Sequence, residues 1–338
     1  MNYFSFNLSD FVFVWWGLLF EALPFVALGA LISGIVEQCL SRATVARLFP
    51  RRRSVGILAS AGLGLLLPMC ECGVVPIVRR LLRKGVPVSC GIAYLLASPI
   101  VNPLVILSTY VAFRGREGWL MVGLRVGLGY LIAVTVAVLV WKLLGEKGLL
   151  RDEVAAENGE SDRAQSAASA ERDHGHMHEH VHEHVHEYEN EPRAGGFSLV
   201  ARILGVAASD FIVIGGTLAV GAAVAALINS GFSRASLAVW AENPWLAVPG
   251  MMALAIALNL CSEADAFVAA SFYAFPLAAK VAFLVLGPMV DIKLALVYCT
   301  VFRPRAVVAI LGLATLLVLV SCLTMPWWLP WLDVAAWW

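Results

Sequence analysis

Apolar runs long enough to cross a bilayer recur along this chain, and the residues that interrupt them predict its elements. The first run covers about 11–36 and is broken by Glu21 and Pro24. A basic loop with Arg42, Arg47 and Arg51-Arg52-Arg53 follows it. Segment 54–84 is apolar but broken by Pro68, Gly73 and Pro76, and ends in Arg79-Arg80-Leu81-Leu82-Arg83-Lys84. One crossing takes about 20 apolar residues, so this stretch is too short for two crossings and a turn. It predicts a re-entrant or short helical hairpin that enters and leaves by one face. Segment 88–113 spans but is broken at Ser98-Pro99 and Asn102-Pro103, and 118–143 spans and ends at Lys142.

The pattern then stops and starts again. Residues 145–196 are charged and rich in Ala, Ser and Glu, with no apolar period, and read as a solvated, disordered linker. Beyond it come a span at about 203–230, a broken hairpin at 245–275, a Pro-broken span at 276–302 and a final span at 305–325. The aromatic tail Pro326-Trp327-Trp328-Leu329-Pro330-Trp331 to Trp337-Trp338 reads as an interfacial anchor. A shift of 189 residues places Cys72 on Cys261, Pro87 on Pro276, Pro99 on Pro288, Asn102 on Asp291, Phe113-Arg114 on Phe302-Arg303, and Glu21 on Asp210. Rare residues repeating in register indicate duplication, with a site where the halves meet.

The chain thus divides into a first membrane repeat (1–144), a His-rich linker (145–196), a second membrane repeat (197–325) and the tail (326–338). The expected fold is an all-α polytopic membrane protein of two inverted repeats. Each repeat has three spanning helices plus a re-entrant or short hairpin.

Inversion follows from charge, because basic loops stay cytoplasmic. With Arg42–Arg53 inside, a re-entrant 54–84 keeps Arg79–Lys84 inside, and the linker and Arg303 and Arg305 also fall inside. The second hairpin's exit, Phe272-Tyr273-Ala274-Phe275-Pro276, then lies outside and carries no basic residue. Arg114, Arg116 and, more weakly, Arg234 run against this arrangement.

Composition agrees with a membrane protein. The chain is 60% hydrophobic, and only 14% of it is charged, against about a quarter in a soluble domain. Mean hydropathy is +0.81. Net charge is zero, which offers nothing for nucleic acid. No Lys or Arg precedes Arg42, so no cleaved signal peptide is evident. Residence in the cell (inner) membrane with a cytoplasmic linker is the expectation. The seven cysteines lie in or beside apolar segments, which suits membrane thiols or metal ligands better than a disulfide framework.

The sharpest chemistry is Met69-Cys70-Glu71-Cys72-Gly73. A Cys-x-Cys pair at a Pro/Gly break offers two soft donors for Cu(I), Zn(II) or trivalent arsenic. Cys39, Cys90, Cys299 and Cys322, each alone, read as small apolar packers. The second hairpin carries Asn259-Leu260-Cys261-Ser262-Glu263-Ala264-Asp265, and a carboxylate at mid-membrane costs about 2.5–3.5 kcal/mol even on lenient scales. A plain neutraliser, Lys280 or Lys293, is the rival explanation for one of these acids. The breaks holding Asn102 and Asp291 free backbone groups that a transporter aims at an ion, unless they are simple proline kinks. Glu21 and Asp210 either carry protons or gate, or are merely hydrogen-bonded between helices.

All seven histidines (His174, His176, His178, His180, His182, His184 and His186) alternate with Gly, Met, Glu and Val in one tract. This pattern makes a multidentate chelator for accessory metal capture, unless it is a linker without duty or an artificial tag. No Gly-x-x-x-x-Gly-Lys-[Ser/Thr] stretch points to nucleotide-driven pumping. The histidines are confined to the linker, which argues against His-based catalysis. No catalytic set is assigned, and the chain is read as a non-enzyme with no tightly bound cofactor.

Four motifs carry a family resemblance. They are Pro68-Met69-Cys70-Glu71-Cys72-Gly73-Val74-Val75-Pro76, Ala97-Ser98-Pro99-Ile100-Val101-Asn102-Pro103, Cys261-Ser262-Glu263-Ala264-Asp265-Ala266-Phe267 and Gly287-Pro288-Met289-Val290-Asp291-Ile292-Lys293. Together they resemble the ArsP-type permease family, which includes organoarsenical permeases and a copper/zinc efflux branch. The resemblance covers about 1–145 and 197–325. It implies a permease exporting a thiophilic substrate, with the cysteine pair as its contact.

The histidine tract suits a borderline divalent metal better than a methylated arsenical, so Zn or Cu is the expected cargo and the arsenical the alternative. The expected site is Cys70, Cys72 and Cys261 for the cargo. Glu71, Glu263 and Asp265 balance charge or exchange protons there, and Asn102 and Asp291 complete the cavity. The bilayer and the cargo are the only partners implied, and the oligomeric state is not legible.

Overall fold

The computed structural model describes residues 8–41, 44, 52–115, 118–145, 149–151, 196–231 and 244–328. The first half forms α1 (Leu8–Cys39), α2 (Arg53–Gly62, continued by a 3-10 turn Leu63–Leu65), α3 (Glu71–Arg83), α4 (Val88–Ala97), α5 (Pro103–Ala112) and α6 (Gly118–Leu144). The second forms α7 (Gly196–Gly231), α8 (Pro244–Leu258), α9 (Asp265–Ser271), α10 (Leu277–Leu286), α11 (Ile292–Tyr298), α12 (Pro304–Leu323) and a short α13 (Met325–Trp328). Among the described residues the one extended pairing is an antiparallel bridge between Leu150 and Phe302. The histidine tract, Arg42, Arg47, Arg51, Arg116, Arg234 and the tail beyond 328 lie outside the described residues.

Four helices are long and apolar enough to cross a membrane: Leu8–Cys39, Gly118–Leu144, Leu199–Leu227 and Pro304–Leu323. The protein is an all-α, multi-pass membrane protein. Large apolar side chains such as Phe13, Phe20, Ile212 and Val308 stand exposed on these helices, as a lipid solvent allows.

The other two expected spans, 88–113 and 276–302, are each split into two short helices, not merely kinked. Pro99 and Pro288 fall one residue into a break, where the missing N–H and the ring end the first helix. A side-chain cap then starts the second: Asn102 accepts from the Leu104 amide, and Asp291 from the Leu294 amide. The half-helices α4 and α5 still follow α6 along its length. Ile100 packs where a side chain on Gly129 would stand, Thr109 meets Arg125, and Tyr110 lies beside Gly118.

The repeat seen in the sequence is also a repeat of elements. Shifted by 189 residues, α4 coincides with α10 residue for residue, and the first residue of α5 falls on the first of α11. The contacts across the halves are paired as well: α5 packs on α9, and its counterpart α11 packs on α3.

Two directions can be read from side chains. Late in α1, Ser33 Oγ lies 2.6 Å from Asp210, early in α7. Early in α1, Trp15 donates to the Ala219 carbonyl late in α7 at 3.0 Å. The two helices, equivalent under the repeat, are therefore antiparallel. At the end of α3, Lys84 Nζ donates to the Glu37 and Leu40 carbonyls at the end of α1 (2.9 and 2.7 Å). The α2–α3 hairpin thus leaves by the face at which α1 delivered the chain, as its length requires.

Candidate functional site

Four helix breaks bring the polar residues of this apolar molecule to its centre. Cys70 is the N-cap of α3, its sulfur accepting the Gly73 amide at 3.4 Å, so Glu71 and Cys72 occupy the first turn. A helix start carries partial positive charge and favours an anionic side chain there. Pro76, inside α3, cannot donate to the residue four before it, which releases the Cys72 carbonyl from the helix ladder. Glycine lets α1 reach this break. A Cβ on Gly29 would stand 2.1 Å from the Gly73 carbonyl oxygen, so the backbones of α1 and α3 touch. That approach brings Glu21 of α1 into electrostatic reach of Glu71, Glu263, Cys261 and Lys293.

From the second half, α8 is followed by Asn259, whose φ of 50° is a left-handed turn that Asn tolerates better than most residues. Its side-chain amide donates to the Ile256 carbonyl at 2.7 Å and locks the turn, leaving its own carbonyl to accept from Lys293 at 3.1 Å. Cys261 follows, donating to Glu263 at 2.8 Å. Cys70 and Cys72 interact with each other, and Cys261 lies within electrostatic reach of Cys70 and Glu71. The three thiols are buried. However, no three or more His, Cys, Asp or Glu groups among the described residues stand together as a metal-holding set.

Two buried cations organise the acids. Lys293 Nζ stands 3.4 Å from Glu71 and 3.3 Å from Asp291. Arg125, with no exposed surface, holds both oxygens of Asp265 (2.9 and 3.1 Å), the Ser262 carbonyl (2.8 Å) and Thr109 Oγ1 (2.7 Å). It ties α6 and α5 to the second break. The signal for Arg125 was present: a lone Arg inside an otherwise apolar span is expensive and needs a partner. Lys293 was legible only as one of two candidate neutralisers, and the structure shows it on two acids.

Asp291 joins this cluster through Lys293 while also capping α11. The oxygen of Asn102 caps α5, and its amide nitrogen is buried without a hydrogen-bond partner. Asp210, repeat mate of Glu21, is engaged elsewhere, bound by Arg80 at 3.1 and 3.0 Å near the α1–α3–α7 junction. Cys322 and Cys90 are buried, Cys299 is half-buried and Cys39 is exposed.

Apolar crossing helices around thiols and ion-paired acids at paired helix breaks define a helical membrane transporter. The chain belongs to the ArsP_1 family, described as a predicted permease, whose model matches residues 8–325. It is 34% identical over 310 residues to the UPF0718 protein YcgR of Bacillus subtilis, covering 90% of this chain and 93% of that protein. It is 32% identical over 307 residues to a Streptococcus mutans protein described as a putative two-component membrane permease complex subunit, covering 90% and 91%. No solved structure matches.

Proposed function

We propose that this permease is a secondary exporter of soft or borderline metal ions of the Zn/Cu class, carried through a Cys/carboxylate site between two inverted repeats. The observation that carries the reading is the burial of Cys70, Cys72 and Cys261 in one neighbourhood, although they come from breaks in opposite halves. Soft thiolates prefer such cargo to the hard cations that oxygen takes. Glu263, bonded to Cys261, and Glu21 are the acids placed to balance charge or exchange protons. The antiparallel α1 and α7 support the inversion. The positive-inside rule supports a cytoplasmic location for the histidine tract, which in this reading captures metal.

A second reading has its own support. Glu71 and Asp291 are already paired with Lys293, and Asp265 with Arg125. Thiol chemistry then outweighs free negative charge, which suits an uncharged trivalent organoarsenical. Proteoliposome flux of Zn(II), Cu(I) and methylarsenite, compared side by side, tests both readings. Metal flux that Cys72→Ser abolishes supports the first, flux of methylarsenite alone supports the second, and flux of none of the three overturns both.

A further inference from the structure

We propose that Lys293 sets the selectivity of this site by keeping hard, oxygen-seeking divalent cations out of it. The inference deepens the preceding reading and rests on its assignment of the thiols as the cargo's contacts. Three oxygens from three elements converge on the Lys293 ammonium: Glu71 from the first turn of α3 (3.4 Å), Asp291 from the cap of α11 (3.3 Å) and the Asn259 carbonyl from the end of α8 (3.1 Å). Two carboxylates and a backbone carbonyl are the ligand types that Mn(II), Mg(II) or Ca(II) take. Lys293 fills that corner with a tethered charge, hydrogen-bonded to the Asn259 carbonyl and ion-paired with the two carboxylates. The backbone there is clamped, because a Cβ on Gly221 of α7 would lie 2.8 Å from the Lys293 Cα. A divalent ion arriving among the same oxygens meets this ammonium at close range in a poorly screened interior. A cargo that bonds to Cys70, Cys72 or Cys261 has no need of those oxygens, so the lysine discriminates by chemistry and not by size.

The test uses the full chain in nanodiscs, with Mn(II) as the probe and its free signal read by electron paramagnetic resonance. Lys293→Met, monodisperse on size exclusion, is expected to bind one further equivalent of Mn(II) at least about tenfold more tightly than the wild type. All variants share the histidine tract, so the difference reports the buried site. Lys293→Arg keeps the charge and is expected to match the wild type. If Lys293→Met leaves a buried carboxylate that prevents folding, Asp291→Asn with Lys293→Met removes one charge of each sign, and its gain over Asp291→Asn alone carries the same test through Glu71. No gain in either pair of proteins, or an equal gain in Lys293→Arg, overturns the proposal. Cu(I) binding by Cys72→Ser, measured separately, reports on the thiol assignment, so failure of that reading is distinguishable from failure of this one.

Discussion

At the residue scale, the cysteines divide by company, not by burial. Cys322 and Cys72 are equally hidden, yet Cys322 packs among the apolar side chains of the core while Cys72 sits beside a second thiol at a helix start. Cys72→Ser and Cys261→Ser are each expected to lower cargo affinity by about 10–100-fold, at least what the loss of a metal's outer-shell partner costs. Cys322→Ser should leave affinity unchanged. Glu263→Gln should retain binding and slow turnover, because it keeps the shape beside Cys261 but removes the charge. Equilibrium binding and proteoliposome flux of the four variants check this set; normal flux in both Cys72→Ser and Cys261→Ser would replace the thiol site with a carboxylate-lined path.

At the element scale, the turn between α8 and α9 is fastened to α5 and α6 by one buried guanidinium. Breaking such a pair by removing one partner costs about 3–5 kcal/mol, because the other charge is left buried. Arg125→Met is therefore expected to lower thermal stability sharply in detergent, and Asp265→Asn added to it should recover part of the loss. A double exchange as unstable as the sum of the two singles would show no coupling and refute the pairing. The caps act on the same scale. Asn102→Ala removes the acceptor for the Leu104 amide and should cost about 1 kcal/mol.

At the scale of the whole molecule, inversion and the linker each make a test. In a Cys-light background, a thiol probe at position 83 should react from the cytoplasm and one at position 275 from outside. Labelling of the two from one face would leave a parallel duplication. Removal of 172–192, a stretch without apolar period in the sequence, should leave the membrane core inserted and weaken transport chiefly at low metal concentration. Total loss of flux in a well-inserted deletion would make the tract part of the pathway.

The sequence by itself determined the membrane class and the positions of the helix breaks. Each of these is written locally, in apolar run length and in proline's missing donor. It also singled out Cys70 and Cys72 as a paired soft-donor motif, and Glu263 and Asp265 as acids too costly to bury without purpose. Only the tertiary structure decided who partners whom. Lys280 and Lys293 were equivalent candidates until folding set Lys293 between Glu71 and Asp291, and nothing in the spacing of Arg125 and Asp265, 140 residues apart, joined them. Glu21 and Asp210 are repeat mates in sequence, yet one lies within electrostatic reach of Cys261 and Lys293 while the other binds Arg80. The reason is physical: a buried charge must be neutralised by whichever opposite charge the packing of helices brings within reach, and that packing depends on the backbone approaches at Gly29, Gly73 and Gly221 rather than on local sequence.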